Sequence, residues 1–232
     1  MRGGKTRAAG AGRDPDLQIF LRSVFSCAPE VASEIAARAS VKGYPVKAVI
    51  LKQGEPGAIS FLMIAGVAHA LAYGPEGRLV MLQEFAPGDF FGAVVQAEPA
   101  QQDADIVAME AVRAALFRAL DFLRLAETHA CIGIALSRML IRHLRAATSR
   151  MAERTTLSAA GRVCMELLRQ ARLGDGRTLD PAPVLSALAV RVNSTRETVS
   201  RTIHGLERRG ILSRQGRALV IVAPQRLEDL AI

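Results

Sequence analysis

The chain has 232 residues, of which 50% are hydrophobic, so it can bury a substantial core in one large or two smaller domains. This composition excludes an intrinsically disordered chain. A net charge of +8 favours a polyanionic partner. No apolar stretch reaches the roughly 18 uncharged residues of a membrane span. Arg138 and Arg142 interrupt even the most apolar region, residues 132–144.

Residues 1–16 are predicted to form a disordered basic tail, because the start of the chain is charged and has almost no hydrophobic residues. A secretory signal would need an apolar core, which this segment lacks, so we expect a cytoplasmic location without membrane contact. The segment GGKT at 3–6 lacks the first glycine of a phosphate-binding loop. Hydrolase and metalloprotease motifs are also absent, so the sequence does not predict an enzyme.

Residues 17–118 read mainly as short strands separated by glycine and proline turns. Residues 29–39, which come before the strands named next, have the composition of a helix. Strands are predicted at 48–51, 60–64, 68–73 and 79–85. Strands of this length and spacing indicate an all-β roll or sandwich.

Residues 119–154 are predicted to form one long helix, because the segment lacks proline and has a helical repeat. A first apolar stripe is spaced as in a coiled-coil seam, and a second apolar stripe lies beside it. The first stripe comprises Ile132, Leu136, Met139, His143 and Ala146, and the second comprises Ile134, Leu140, Ile141 and Leu144. Two apolar sides require two partners, the helix's own domain and a second copy of the chain. The sequence therefore favours a homodimer, the alternative being a helix buried within one domain.

Residues 155–232 are predicted to form a compact unit with a helix over 157–172, a glycine-rich loop, two short helices, a hairpin and a closing helix from Pro224. The first short helix has an apolar face formed by Leu185, Leu188, Ala189 and Val192. Asn193 then occupies a turn that often requires a left-handed backbone, which asparagine tolerates. This pattern predicts a helix-turn-helix.

The second short helix can be capped by Ser194 or Thr195, and it turns Val199, Ile203 and Leu206 inward. Its outer side is polar and basic, as expected of a helix that lies in the DNA major groove. The predicted DNA-binding residues are Ser194, Thr195, Arg196, Glu197, Thr198, Ser200 and Arg201, with Arg214 and Arg217 in the hairpin.

Each predicted contact has a chemical reason. The Arg196 and Arg201 guanidinium groups can donate to guanine O6 and N7, while Glu197 can accept from a cytosine amino group. The hydroxyls of Thr198, Ser200 and Thr202 suit phosphate contacts. The competing interpretation is an ordinary charged, solvated helix face. The turn, the apolar spacing and the basic surroundings favour double-stranded DNA as the partner.

The segment STRETVSRTIHGLERRGIL (194–212) resembles the recognition helix and following strand of the CRP/FNR family of bacterial regulators. The segment GPEGRLVMLQEFAPGDFFG (74–92) resembles the β-roll of that family. The resemblance implies an α+β fold with an N-terminal β-roll like a cyclic-nucleotide-binding domain, a long dimerisation helix and a C-terminal winged helix-turn-helix. It also implies transcription regulation, with RNA polymerase as a further partner.

Arg196, Glu197 and Arg201 match the Arg-Glu-x-x-x-Arg pattern of the CRP branch. That match implies binding to an inverted repeat of TGTGA-like half-sites, centred about one helical turn apart.

The resemblance implies that the N-terminal β-roll, residues 17–118, is the sensory domain. This domain departs from the family at the positions where its relatives bind cyclic AMP. Those relatives have a Gly-Glu pair, an Arg-Ser pair about ten residues later and a Thr-Ser pair on the long helix. Aligned without gaps, the corresponding residues here are Gly92 with Ala93, Asp103 with Ala104, and Ala147 with Thr148. Because Asp103 replaces the phosphate-binding arginine, we expect no useful affinity for cyclic AMP.

Three possibilities remain open for the effector: another ligand such as cyclic di-GMP, haem or a redox signal, or no effector. His69, His129, His143, Cys27, Cys131 and Cys164 are the available haem or redox ligands. The three cysteines match no metal-binding spacing and are too few for a four-thiolate iron–sulfur site. A rival function is a cyclic-nucleotide-binding module that regulates a partner protein.

Overall fold

The computed structural model describes residues 14–73, 79–94 and 100–231. The chain divides into two compact units. The first comprises residues up to Ala72 together with Leu82–Arg145, and the second comprises Tyr73–Met81 together with residues 146–232. The predicted α+β fold class is confirmed.

The first unit begins with two helices, α1 (Pro15–Phe25) and α2 (Pro29–Ala37). The Asp14 carboxylate caps α1 by accepting from the backbone amide of Asp16 at 3.1 Å, and Pro15 occupies the first turn. Leu17, Leu21 and Phe25, spaced four apart, are buried. Two sequence predictions are therefore wrong: residues 15 and 16 are not tail, and the segment after them is helix rather than strand. Residues 1–13 of the predicted tail lie outside the described residues.

Within residues 40–73, 79–94 and 100–118, ten strands follow and form the predicted β-roll. They are β1 (Ser40–Tyr44), β2 (Val49–Leu51), β3 (Pro56–Gly57), β4 (Ile59–Ala65), β5 (Ala68–Tyr73), β6 (Leu79–Phe85), β7 (Phe90–Gly92), β8 (Ala100–Gln101), β9 (Asp105–Ala108) and β10 (Val112–Arg118). The two four-stranded sheets have the orders β1-β10-β4-β7 and β2-β9-β5-β6, and β3 pairs with β8. All four strands predicted from the sequence are present, with bounds shifted by no more than one residue.

An apolar core that includes Phe61, Phe85 and Phe91 fills the roll. The rings of Phe61 and Phe91 stack with centroids 4.9 Å apart. Gly92 has a φ of +82°, and a Cβ atom there would lie 2.5 Å from the Ile59 carbonyl oxygen. Only glycine fits this close approach between β7 and β4.

The predicted long helix is two helices, α3 (Ala119–Thr128) and α4 (Ala130–Thr156). They are separated by His129, whose backbone is extended at φ −119° and ψ 104°. The His129 imidazole lies 2.9 Å from the Glu34 carboxylate of α2. No proline or glycine marks this break, so the helical periodicity could not reveal it.

The first apolar stripe of α4 packs inside its own unit. Ile132, Leu136 and Met139 are buried in one cluster with α1, α2 and α3, whereas Ala146 is exposed. Of the two partners expected for α4, the helix's own domain therefore covers the first stripe, although its spacing resembles a coiled-coil seam. The residues of the second stripe are 51–68% exposed to solvent; they are Ile134, Leu140, Ile141 and Leu144.

Asp89 links the β-roll to α4 within the first unit. Its carboxylate accepts from the Ala86 amide at 3.0 Å and from Arg142 at 3.1 Å, and it lies 3.1 Å from His143 Nε2. Burial raises the pKa of Asp89, but the contacts with His143, the Ala86 amide and Arg142 outweigh it, so this pKa is lowered overall.

We expect Asp89→Asn to lower the free energy of unfolding by about 1–3 kcal/mol at pH 7, because it removes a buried charged acceptor. A carboxyl group whose pKa is lower in the folded than in the unfolded protein stabilises the fold at pH values above its unfolded-state pKa, about 3.9. This stabilisation is lost as the pH falls through the folded-state pKa. Urea unfolding of both proteins should therefore show a constant difference between pH 5 and 7 that shrinks below about pH 4. A difference that grows on acidification would contradict this role.

The second unit contains the C-terminal end of α4 and a compact group of elements around one apolar core. These elements are α5 (Ala159–Ala171), β11 (Thr178–Leu179), α6 (Leu185–Arg191), α7 (Arg196–Arg208), β12 (Leu212–Gln215), β13 (Ala218–Ile221) and α8 (Pro224–Asp229). The strands form a sheet of order β11-β13-β12. Among the described residues, no helix has the length and apolarity to cross a membrane.

Candidate nucleic-acid interface and sensory cavity

The helices α6 and α7 form the predicted helix-turn-helix. Leu188, Ala189 and Val192 are buried in the core of the second unit. Asn193 has a φ of +48°, the left-handed conformation predicted for the turn. The Thr195 hydroxyl caps α7 by accepting from the Thr198 amide at 3.2 Å.

Packing determines which side of α7 faces outward. Val199, Ile203 and Leu206 are at most 4% exposed and anchor the helix in the core. Arg196, Glu197 and Arg201 are consequently exposed on the opposite side. Neither arginine forms an ion pair with any residue that the structure describes. The two guanidinium groups are therefore available to an anionic or base-edge partner.

The predicted phosphate-binding hydroxyls are partly engaged within α7 and its cap. Thr202 donates to the Thr198 carbonyl at 2.9 Å, and the Thr195 and Thr198 hydroxyls lie 3.0 Å apart. Ser200 is 3.4 Å from His204 Nδ1, and Ser194 is half-buried.

The two hairpin arginines are also engaged. Arg214 donates to Glu207 at 2.9 Å, which ties β12 to α7, and Arg217 donates to Asp180 at 2.8 Å. Both pairs are exposed enough to exchange for a phosphate, since surface ion pairs contribute little stability.

Sequence reasoning missed Arg162, which holds the turn from α5. Its guanidinium donates to the carbonyls of Val192 at 2.9 Å, Asn193 at 3.3 Å and Leu157 at 2.9 Å. Arg162 therefore positions the start of α7 without lying on its outer face. Its place on α5, thirty residues before the turn, carries no local signal of this role.

We expect Arg162→Lys to lower the free energy of unfolding by about 1–3 kcal/mol, because Arg162 contacts the three carbonyls through three separate nitrogens and lysine has a single nitrogen to replace them. Thermal unfolding followed by circular dichroism measures the loss. Arg172→Lys is the matched control, because Arg172 makes only an exposed pair with Glu228 at 2.7 Å. Equal effects of the two substitutions would contradict the positioning role.

A cavity of about 410 Å³ lies in the first unit, between the β-roll and α4. Gly92, Asp103 and Ala104, three of the residues predicted for the effector pocket, line it. Ala93 is buried and does not line it, and its carbonyl accepts from the Ser60 hydroxyl at 2.7 Å. Ala147 and Thr148 are exposed on α4 and belong to the second unit. None of the described residues lining the cavity is lysine or arginine.

The histidines considered as haem ligands contact other side chains. His69 lies 3.0 Å from Glu84, His129 contacts Glu34, and His143 lies 2.8 Å from the Gln83 amide. Within the described residues, no group of three His, Cys, Asp or Glu side chains could hold a metal ion.

Two of the cysteines, Cys27 and Cys164, have weakly acidic thiols. Burial raises the pKa of Cys164 to about 11, and burial together with the neighbouring Cys131 raises the pKa of Cys27. Thiolates are the metal-binding and nucleophilic form, so neither of these thiols is activated.

A helix-turn-helix with a β-hairpin wing, combined with a β-roll and a long helix, defines the class of this protein as a DNA-binding transcription regulator. Comparison with known proteins supports this class. Residues 161–230 match the Crp-like helix-turn-helix domain, and residues 41–129 match the cyclic nucleotide-binding domain. With both domains matched, the chain belongs to the CRP/FNR family.

The chain is similar to the cAMP-activated global transcriptional regulator CRP of Salmonella typhimurium, with 26% identity over 183 residues, 77% of this chain and 87% of the relative. Its fold is similar to FixK2 from Bradyrhizobium japonicum, with a TM-score of 0.70 and 24% identity, over 83% of this chain and 96% of that one. It is also similar to the c-di-GMP responsive global regulator CLP of Xanthomonas campestris, with a TM-score of 0.72 and 18% identity, over 84% of this chain and all of that one.

Proposed function

We propose that this transcription regulator binds an inverted repeat of TGTGA-like half-sites as a homodimer and does not require cyclic AMP. The observation that carries the proposal is the outer face of α7. Arg196, Glu197 and Arg201 project together from a helix anchored by three buried residues and held at its start by Arg162. Two bidentate arginines and a carboxylate can read guanine and cytosine in successive base pairs.

The exposed second stripe of α4 supports the homodimer. Ile134, Ile141 and Leu144 of this stripe are 51–68% exposed. Met151, which lies beyond the stripe on the same helix and is 69% exposed, continues their spacing, with steps of seven, three and seven. This is the spacing of a coiled-coil seam. Pairing two copies along this stripe would cover apolar surface that a monomer leaves in water, and it would place two α7 helices on one DNA duplex.

Two features of the cavity support independence from cyclic AMP. Asp103 lines it, so a phosphate there would meet like charge, and its described lining contains no lysine or arginine to neutralise one. Loss of a charge-assisted pair costs about 2–5 kcal/mol when buried, and repulsion adds to it. The Salmonella relative is cAMP-activated; we propose that this chain differs because of these substitutions.

Two alternative effectors and one further partner belong to the same proposal. The c-di-GMP responsive neighbour from Xanthomonas makes cyclic di-GMP the first alternative effector to test, and haem is the second. RNA polymerase is a proposed further partner of the DNA-bound dimer. A module that regulates only a partner protein is less favoured, because it would not need the outward-facing residues of α7.

A gel-shift titration of the ligand-free protein tests the proposal. We expect tight, selective binding to a TGTGA palindrome over a scrambled duplex in moderate salt, unchanged by cyclic AMP, with cyclic di-GMP and haem tested in parallel. Binding that appears only with cyclic AMP would overturn the independence from that ligand. Equal affinity for both duplexes would overturn the half-site assignment.

A further inference from the structure

The lining of the 410 Å³ cavity is mainly apolar. From the β-roll it includes Phe85, Phe90 and Phe91, and from α4 it includes Leu136, Met139 and Leu140. Ligand pockets of this kind, roughly 300–1,000 Å³ in volume, bind molecules mainly through apolar and aromatic contact.

The polar groups of the cavity favour an uncharged ligand. Gln83, Gln102, Asp103 and His143 are the polar side chains that line it. The Gln83 amide nitrogen lies 2.8 Å from His143 Nδ1, and the opposite ring nitrogen faces Asp89 at 3.1 Å. If Gln83 donates in this contact, its carbonyl oxygen remains as an acceptor for a ligand hydroxyl or N–H group.

Part of the apolar lining is also exposed to water. Leu82 of β6 lines the cavity and is 44% exposed, and it lies outside the second stripe that the proposed dimer covers. A bound apolar molecule would remove this surface from water, which is favourable by about 25 cal/mol for each Å² covered.

We propose that the cavity binds an uncharged, ring-containing apolar small molecule that donates one hydrogen bond to Gln83. This inference rests on the proposed independence from cyclic AMP, since it assigns a different ligand class to the same cavity. The cavity is lined by about two turns of α4, from Leu136 to His143, so its occupancy acts directly on the helix that carries the second stripe.

The first test uses the full-length protein and the uncharged fluorescent probe N-phenyl-1-naphthylamine. We expect saturable binding with a blue-shifted emission, because the probe moves from water into an apolar cavity. Cyclic AMP added in excess should not displace it. Displacement by cyclic AMP at comparable concentration would overturn the proposed ligand class.

Leu82→Lys tests the location, because it places an ammonium group at the cavity and should weaken probe binding at least about tenfold. Val41→Lys is the matched control, since Val41 is 37% exposed on β1 and does not line the cavity. Ala104→Phe, which fills the cavity, and Ala111→Phe, an exposed control outside it, form a second pair.

Probe binding that survives both Leu82→Lys and Ala104→Phe unchanged would place the probe elsewhere, such as on the second stripe, and would overturn the proposal. Each variant is also titrated with the TGTGA palindrome. Because fluorescence reports the cavity and the gel shift reports α7, failure of the ligand proposal is distinguishable from failure of the proposed DNA function.

Discussion

Replacing Arg196 or Arg201 with alanine should weaken binding to a TGTGA palindrome by about 1–3 kcal/mol for each half-site and relax selectivity at one base pair. Both side chains are exposed on α7 and make no ion pair within the described residues, so their removal leaves the fold of the second unit unchanged. Competition gel shifts with single-base variants of the half-site measure affinity and selectivity together.

Arg226→Ala is the matched control for this experiment. Arg226 is an exposed arginine on α8, so its loss changes the net charge equally without altering α7. We expect that control to weaken specific and non-specific binding alike and only modestly, as loss of a diffuse electrostatic contribution does. If Arg196→Ala retained the affinity and selectivity of the native protein, the half-site assignment would be wrong.

The double substitution Ile141→Glu with Leu144→Glu should convert the protein to a monomer. In a dimer built along the second stripe, each carboxylate would be buried without a partner at a cost of about 3–5 kcal/mol. A cost of that size weakens association more than about a hundredfold. Analytical ultracentrifugation measures the oligomeric state, and the palindrome gel shift should show loss of tight binding, because a monomer reaches only one half-site.

Leu120→Glu makes the same chemical change at a matched site. Leu120 is 55% exposed on α3 and does not belong to the second stripe. We expect this variant to remain dimeric and to bind DNA normally. A dimeric double variant would exclude the second stripe as the interface and would direct attention to another surface.

The helix-turn-helix could be predicted because its signals are local. Asn193 in a left-handed turn, the Thr195 cap and the inward spacing of Val199, Ile203 and Leu206 each act within one or two helical turns. Those signals determine which side of α7 faces outward, so the exposed positions of Arg196, Glu197 and Arg201 could be predicted. Four of the β-roll strands, β2, β4, β5 and β6, could be predicted for the same reason, because glycine and proline turns separate them.

Local signals of this kind cannot predict contacts between residues that are far apart in the sequence. The sequence predicts strand where α1 lies, because a short apolar run suits either a helix or a strand. Burial of α1 against α3 and α4 favours the helix. Likewise, the break at His129 coincides with a contact to Glu34, 95 positions away. Arg162 acquires its role only when Val192 and Asn193 fold back against α5.

The difference between what the sequence specifies and what tertiary packing determines is clearest in α4. Its sequence specifies a helix with two apolar stripes, because hydrophobic residues recur at helical spacing on two sides. It does not specify which stripe the chain covers with its own residues, since that depends on the shape of a β-roll surface assembled from residues far away. The folded unit buries Ile132, Leu136 and Met139 and leaves Ile141 and Leu144 exposed. Periodicity therefore sets the pattern along the helix, and tertiary packing assigns each stripe its partner.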